Sequence, residues 1–129
     1  MIKQGTYDFD IYRGDSSVYE MQFTNTDNVT GEKRPVDLSY YNITAEVRYT
    51  YDQDSVWINL NPVVIDAKNG HIRIILTSGT TANALPPSDP LAPAVGVWDL
   101  QLVDKTDPQK VFSPMVGTLK IRKDVTRKN

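Results

Sequence analysis

The stretch Asn42 to Tyr51, NITAEVRYTY, decides the fold. Ile43, Ala45, Val47, Tyr49 and Tyr51 alternate with Thr44, Glu46, Arg48 and Thr50, so an extended chain here is apolar on one side and polar on the other. Successive side chains of a strand point to opposite faces, and a period of two is the signature of a strand with a core beneath it and water above. The same alternation recurs in both directions along the chain. It is clear in TYDFDIY (Tyr7, Phe9, Ile11), SVYEMQF (Tyr19, Met21, Phe23), HIRIIL (Ile72, Ile74, Leu76) and VWDLQLV (Trp98, Leu100, Leu102), and weaker in VWINL and MVGTLKI. That makes about seven short strands, the pattern of an all-β protein.

Between these runs lie turn-forming clusters: Arg13-Gly14-Asp15-Ser16, the polar segment Asn25 to Asp37, Lys68-Asn69-Gly70, and Asp104 to Gln109. Gly, Pro, Asn and Asp supply the backbone angles that turns need. Strands so spaced predict a β-sandwich or small barrel. The predicted core is Phe9, Ile11, Met21, Phe23, Val47, Tyr49, Ile72, Ile74, Leu76, Trp98, Leu100 and Leu102. Ile75, Val97 and Val103 have the opposite parity, which suits contact with a neighbour or a second sheet face. SGTTANAL reads as one short helical connector, capped by Ser78 or Thr80 and ending before Pro86. At 129 residues, the chain fits a single domain, 1–129.

Charge excludes several classes of partner. Fourteen Lys and Arg against sixteen Asp and Glu leave a net charge of −2, which gives no field for nucleic acid or an anionic membrane. Without cysteine there is no disulfide, thiol nucleophile or cysteine-bearing metal site. The opening MIKQGTYDFD lacks the apolar run of a signal peptide, and no stretch is long and apolar enough to span a bilayer, so the chain reads as soluble and unprocessed.

Catalysis needs a nucleophile with a base, a metal, or a paired acid and base in a cleft. His71 is the sole histidine and has the parity of a solvent-facing strand residue. No serine stands in a nucleophile-elbow frame and no glycine loop has the spacing that cradles phosphate. Asp8 with Asp10, and Asp52 with Asp54, are D-x-D pairs without the rest of a calcium loop. The chain is therefore expected to be non-enzymatic, with no metal, cofactor or small-molecule substrate. Asn28-Val29-Thr30 and Asn42-Ile43-Thr44 fit the glycan acceptor pattern but lack a secretory context.

Three features invite a binding role. Arg13-Gly14-Asp15 is the tripeptide that integrins read, yet alternation on both sides makes it the turn of a β-hairpin in which glycine is needed for a positive φ. ALPPSDPLAPAVG carries Pro86, Pro87, Pro90 and Pro93, and proline's fixed φ and missing N–H favour an extended protruding loop over a ladder. KIRKDVTRKN holds Lys120, Arg122, Lys123, Arg127 and Lys128, so Arg122, Lys123, Arg127 and Lys128 form a candidate docking tail for an acidic protein surface.

Taken together, DIYRGDSSVYEMQF, PVDLSYYNITAEVR, GHIRIILTSGTTANAL, GVWDLQLVD and GTLKIRKDVTR resemble, in order and spacing, a group of bacteriophage virion proteins. The resemblance covers nearly the whole chain. It implies a small immunoglobulin-like β-sandwich of the tail, baseplate or neck, similar in style to the N-terminal domains of baseplate upper proteins. The implied role is structural, in the virion, with other virion proteins and copies of itself as partners. Relatives of that kind pass directly from the TTANAL-like turn to the GVWDL-like strand, so Pro87 to Val95 stands out as an insertion. A stiff apolar arm loses little entropy on docking, which makes Pro87, Pro90, Leu91, Pro93 and Val95 the candidate subunit-contact arm. The alternative is an autonomous binding module for a host-surface carbohydrate or protein, with Tyr12, Tyr40, Tyr41 and Trp57 as stacking residues.

Overall fold

In the computed structural model, which describes residues 5–84 and 94–122, the alternation resolves into an all-β architecture. In chain order the strands are β1 (Gly5–Thr6), β2 (Phe9–Tyr12), β3 (Ser17–Gln22), β4 (Thr24–Thr26), β5 (Lys33–Pro35), β6 (Tyr41–Arg48), β7 (Ile58–Asn59), β8 (Val63–Asp66) and β9 (His71–Leu76). The helix α1 (Ser78–Ala84) follows, then β10 (Ala94–Asp104) and β11 (Val111–Arg122). A six-stranded sheet has the order β1-β11-β10-β6-β7, with β2 beside β1 on the same side of β11. A second sheet is β3-β9-β8, and β4 pairs with β5 as a two-stranded ribbon.

The described residues thus form eleven strands, not about seven. TYDFDIY is divided at Tyr7 and Asp8, and VWINL shrinks to Ile58–Asn59. The segments TNT, KRP and VVID also pair, although none alternates apolar with polar. Periodicity detects strands with one face on a core, and these three have none.

The long pair β10 and β11 forms the centre of the large sheet. Leu100 opposes Met115 but Leu102 opposes Phe112, so Ser113 and Pro114 together face Gln101. Proline gives no N–H to a ladder, and inside a sheet it is tolerated where a bulge already breaks the pairing. On the far side of β11, β1 and β2 run parallel to it, Gly5 opposite Met115 and Phe9 opposite Leu119. Between them the chain stays attached. Tyr7 N–H donates to the Val116 carbonyl at 3.0 Å, and the Asp8 carboxylate accepts from the Thr118 N–H and hydroxyl, each at 3.0 Å.

Both larger sheets bury their inner faces in one cluster. Phe9, Ile11, Ala45, Val47, Trp98, Leu100, Leu102, Leu119 and Ile121 come from the six-stranded sheet, and Ile72, Ile74 and Leu76 from the three-stranded one. Phe23, Val36, Leu38 and Leu60 close the cluster from connecting segments. The Phe9 ring meets Tyr19 edge-on at 4.7 Å, joining β2 of one sheet to β3 of the other. Ten of the twelve predicted core residues are buried. Met21 is half-buried against the cluster, and Tyr49 is a correction: β6 ends at Arg48, and Tyr49 lies exposed, stacked on Trp57 at 4.4 Å.

Arg13-Gly14-Asp15 is not a hairpin turn. β2 belongs to the six-stranded sheet and β3 to the three-stranded sheet, so the turn carries the chain from one layer to the other. Two strands that face each other across a core alternate just as two that pair, so periodicity cannot separate the cases. Gly14 does hold a positive φ, +85°. The helix cap also shifts by a residue: Thr77 Oγ1 accepts the Thr80 N–H at 3.2 Å, so Thr77 does the work expected of Ser78 or Thr80.

Candidate functional site

Of the four carboxylates singled out by spacing, Asp8 and Asp10 are engaged in holding the fold. Asp8 binds Thr118, and Asp10 on β2 receives the Arg122 guanidinium from β11, with Nε at 2.8 Å and Nη2 at 3.0 Å. That hydrogen bond holds the Asp10 carboxyl below its ordinary value and raises Arg122. Arg122 is therefore part of the sheet, ion-paired across β2 and β11. Lys123, Arg127 and Lys128 lie outside the described residues. Asp52 and Asp54 are exposed in the loop after β6, and among the described residues no three acidic or histidine side chains converge as a metal site. His71 is exposed, as its parity predicts.

The arm is only partly within view. Val95 belongs to β10, pairs with Lys120 and is half exposed at its Cβ face, so the strand begins earlier than the proline-rich reading expects. Pro87, Pro90, Leu91 and Pro93 lie outside the described residues.

The adhesion tripeptide is closed to a receptor. Arg13 is buried, at 4% exposure, and only Asp15 faces solvent. The buried Thr81 hydroxyl of α1 accepts the Gly14 N–H at 3.0 Å and donates to the Asp15 carbonyl at 2.8 Å. The turn is a clamp between layers and helix.

The aromatic residues that suggested sugar stacking are dispersed. Tyr12 lies beside Arg122 at one end of β11, while Tyr41 is opposite Asp104, at the other end of β10. Those ends are some eleven residues of β11 apart, roughly 35 Å at strand rise. Tyr41 meets Phe112 edge-on, and Trp57 is half-buried with its indole N–H on the Ala84 carbonyl at 2.9 Å. They form no common platform.

Two surfaces remain. On the outer face of the six-stranded sheet, Glu46, Arg48, Thr50, Tyr51, Val97, Asp99 and Val116 line an open cleft of about 120 Å³. Glu46 and Asp99 are register partners on adjacent strands. Arg48 reaches Glu46 at 3.3 Å and the Gln101 amide reaches Asp99 at 3.4 Å, so each carboxylate is partnered within the sheet. Val97, Val103 and Val116 are half-buried on this mixed face, and Val95 is half exposed at its end.

The outer face of β3-β9-β8 differs in kind. Val18 (60% exposed) opposes Ile75 (50%), and Val63 (54%) stands beside Arg73. Arg73 in turn donates to Glu20 at 2.7 Å in the centre of the face. Ile75 was legible by parity. Val18 and Val63 were not singled out, although Val18 has the parity opposite Tyr19 and Met21, and three successive β-branched residues in PVVID were the available signal for β8.

No protein-family model matches the chain, and no curated protein sequence matches it. Among solved structures similar in outline are the following two. One is the N-terminal domain of phage TP901-1 ORF48, at 12% identity and a TM-score of 0.41, covering 90% of this chain and 83% of that one. The other is a family 123 glycoside hydrolase from Clostridium perfringens, at 9% identity and a TM-score of 0.38, where 95% of this chain spans 24% of that one. At such overlaps neither likeness carries a functional argument.

Proposed function

We propose that the protein is a non-enzymatic structural component of a bacteriophage particle, an immunoglobulin-like β-sandwich of the tail, baseplate or neck that works through contacts with neighbouring subunits. The observation that carries the reading is the apolar outer face at Val18, Ile75 and Val63, surface of a kind that suits a protein neighbour better than a small ligand. The order and spacing of the five sequence blocks support the virion setting. Rigid strands with short turns suit a part whose function is to hold position. In this reading the partners are other virion proteins and copies of the chain, and Pro87 to Pro93 supplies a further contact through stiffness and the apolar Leu91.

The test is a protein inventory, by mass spectrometry, of purified particles of the virus that encodes the chain. Stoichiometric presence is expected. Expression in infected cells with absence from the particles overturns the reading. Replacing residues 87–93 with a Gly-Ser link, with β10 left whole, is expected to preserve melting behaviour and reduce incorporation.

A further inference from the structure

We propose that the outer face of the β3-β9-β8 sheet is a self-association surface that packs against the same face of a second copy of this chain. It deepens the reading above by naming the neighbour, and it rests on that reading. Among the described residues nothing packs on this face, and Val18, Ile75 and Val63 are each half exposed or more.

The choice of a second copy follows from register. Across β3 and β9 the outward pairs are Val18 with Ile75, Glu20 with Arg73, and Gln22 with His71. Each pair is complementary in itself: apolar with apolar, acid with base, polar with polar. A two-fold axis lying in the interface, parallel to the strands and midway between them, lays β3 of one copy over β9 of the other. Val18 then meets Ile75, Glu20 meets Arg73 and Gln22 meets His71 across the interface, twice over. The Glu20–Arg73 ion pair of each copy, 2.7 Å long, becomes half of an alternating four-charge cluster. A uniformly acidic or basic partner would leave one of these charges opposed by its like. Aligned stacking of sheets at a spacing near 10 Å is an ordinary packing mode.

Size sets the strength. Under that axis β3 and β9, each six residues long, form the overlap, and the four-residue β8 with Val63 lies at its rim. Two strands about 4.8 Å apart cover roughly 10 by 20 Å, well below the ~800 Å² per partner of a standard stable interface. The isolated chain is therefore a weak, concentration-dependent dimer, and the contact becomes firm where an assembly holds copies side by side.

Sedimentation equilibrium of the full chain from micromolar to millimolar concentration tests this. A reversible monomer–dimer equilibrium is expected, with Ile75→Asp raising the dissociation constant by about tenfold or more. Glu20→Arg is expected to weaken the dimer, and the double exchange Glu20→Arg with Arg73→Glu to restore it, since the same pairs re-form with sign reversed. Melting temperatures of the variants report that each is folded. A wild-type chain that stays monomeric, a dimer indifferent to Ile75→Asp, or a double exchange as weak as Glu20→Arg overturns the proposal. Any of these leaves the virion reading to the particle inventory, so the two fail separately.

Discussion

The Trp98 indole N–H donates to the Tyr7 carbonyl at 2.8 Å, passing over the bare Cα of Gly117. A β-carbon at Gly117 would fall on the Tyr7 oxygen and 2.8 Å from Trp98 Nε1. The glycine, the indole and the break between β1 and β2 are thus one device. It lets the first strands detach and rejoin β11 without leaving the Tyr7 carbonyl unpaired.

That device makes a stability prediction. Trp98→Phe removes one donor and is expected to cost about 1–3 kcal/mol, whereas Trp98→Ala also opens a cavity and costs about 3–5 kcal/mol. Gly117→Ala is expected to cost at least about 2 kcal/mol. Because Gly117→Ala and Trp98→Phe disturb the same carbonyl, the double variant should lose less than the sum of the two. Denaturant unfolding of the four proteins checks this, and strict additivity would separate the glycine from the bond.

Gly14 and Gly70 both hold a positive φ, +85° and +72°, but in different surroundings. A β-carbon on Gly14 meets nothing within 4 Å, while on Gly70 it would stand 2.5 Å from the Phe23 carbonyl oxygen and 2.9 Å from that of Val36. Gly14→Ala should therefore cost backbone strain alone, about 1–2 kcal/mol. Gly70→Ala should cost clearly more, since the carbonyls it strikes belong to the segment that closes the core. Equal losses in a melting comparison would contradict the ordering.

The sequence made these turns legible and hid their purpose. Lys68-Asn69-Gly70 does join neighbouring strands, β8 and β9. Arg13-Gly14-Asp15 looks the same in sequence but joins two sheets, because alternation records which side of a strand is buried and not which strand lies beside it. Ile72, Ile74, Leu100 and Leu102 were readable for that reason. Leu38 was not, since it plugs the core from a non-alternating segment, and Leu60, at the end of the weak run VWINL, was only faintly so. The apolar outer face was half readable: the parity of Ile75 exposed it, but joining it to Val18 and Val63 requires the register of three strands. Gly117 gave no signal at all, because a close approach leaves no trace in φ or in local pattern.

Acid should destabilise the protein through its turns and the Asp10–Arg122 pair between β2 and β11. Asp104 is held below the ordinary carboxyl value of 3.8 by the Thr106 hydroxyl and then the Thr106 N–H. Asp37 is lowered by the Ser39 hydroxyl, Asp66 by the Asn69 amide and Asp10 by Arg122. A carboxyl depressed in the folded state adds stability that is full above its unfolded value and lost as pH falls through the folded one. The melting temperature is thus expected to be insensitive to these groups from neutrality to about pH 5 and to fall below about pH 4. Asp104→Ala should lower it at pH 7, with the gap to wild type closing in strong acid. A gap that persists in strong acid would mean the ionised form is not what stabilises the turn.

Trp57 links the end of α1 to the strand that follows it. Its indole N–H holds the Ala84 carbonyl at 2.9 Å, its ring stacks on Tyr49, and a β-carbon on Gly96 of β10 would lie 2.8 Å from its Cε3. The glycine therefore gives the ring its seat, and the ring covers backbone that a side chain would otherwise shield. Trp57→Phe keeps most of the stacking and loses the donor, so α1 should exchange its amide hydrogens faster while the global melting temperature changes little. Gly96→Ala displaces the ring from its seat and should lower both. If Trp57→Phe left exchange in α1 unchanged, the helix would be held by the Thr81 contact with Gly14 and Asp15 alone, and Trp57 would serve only as cover for β10.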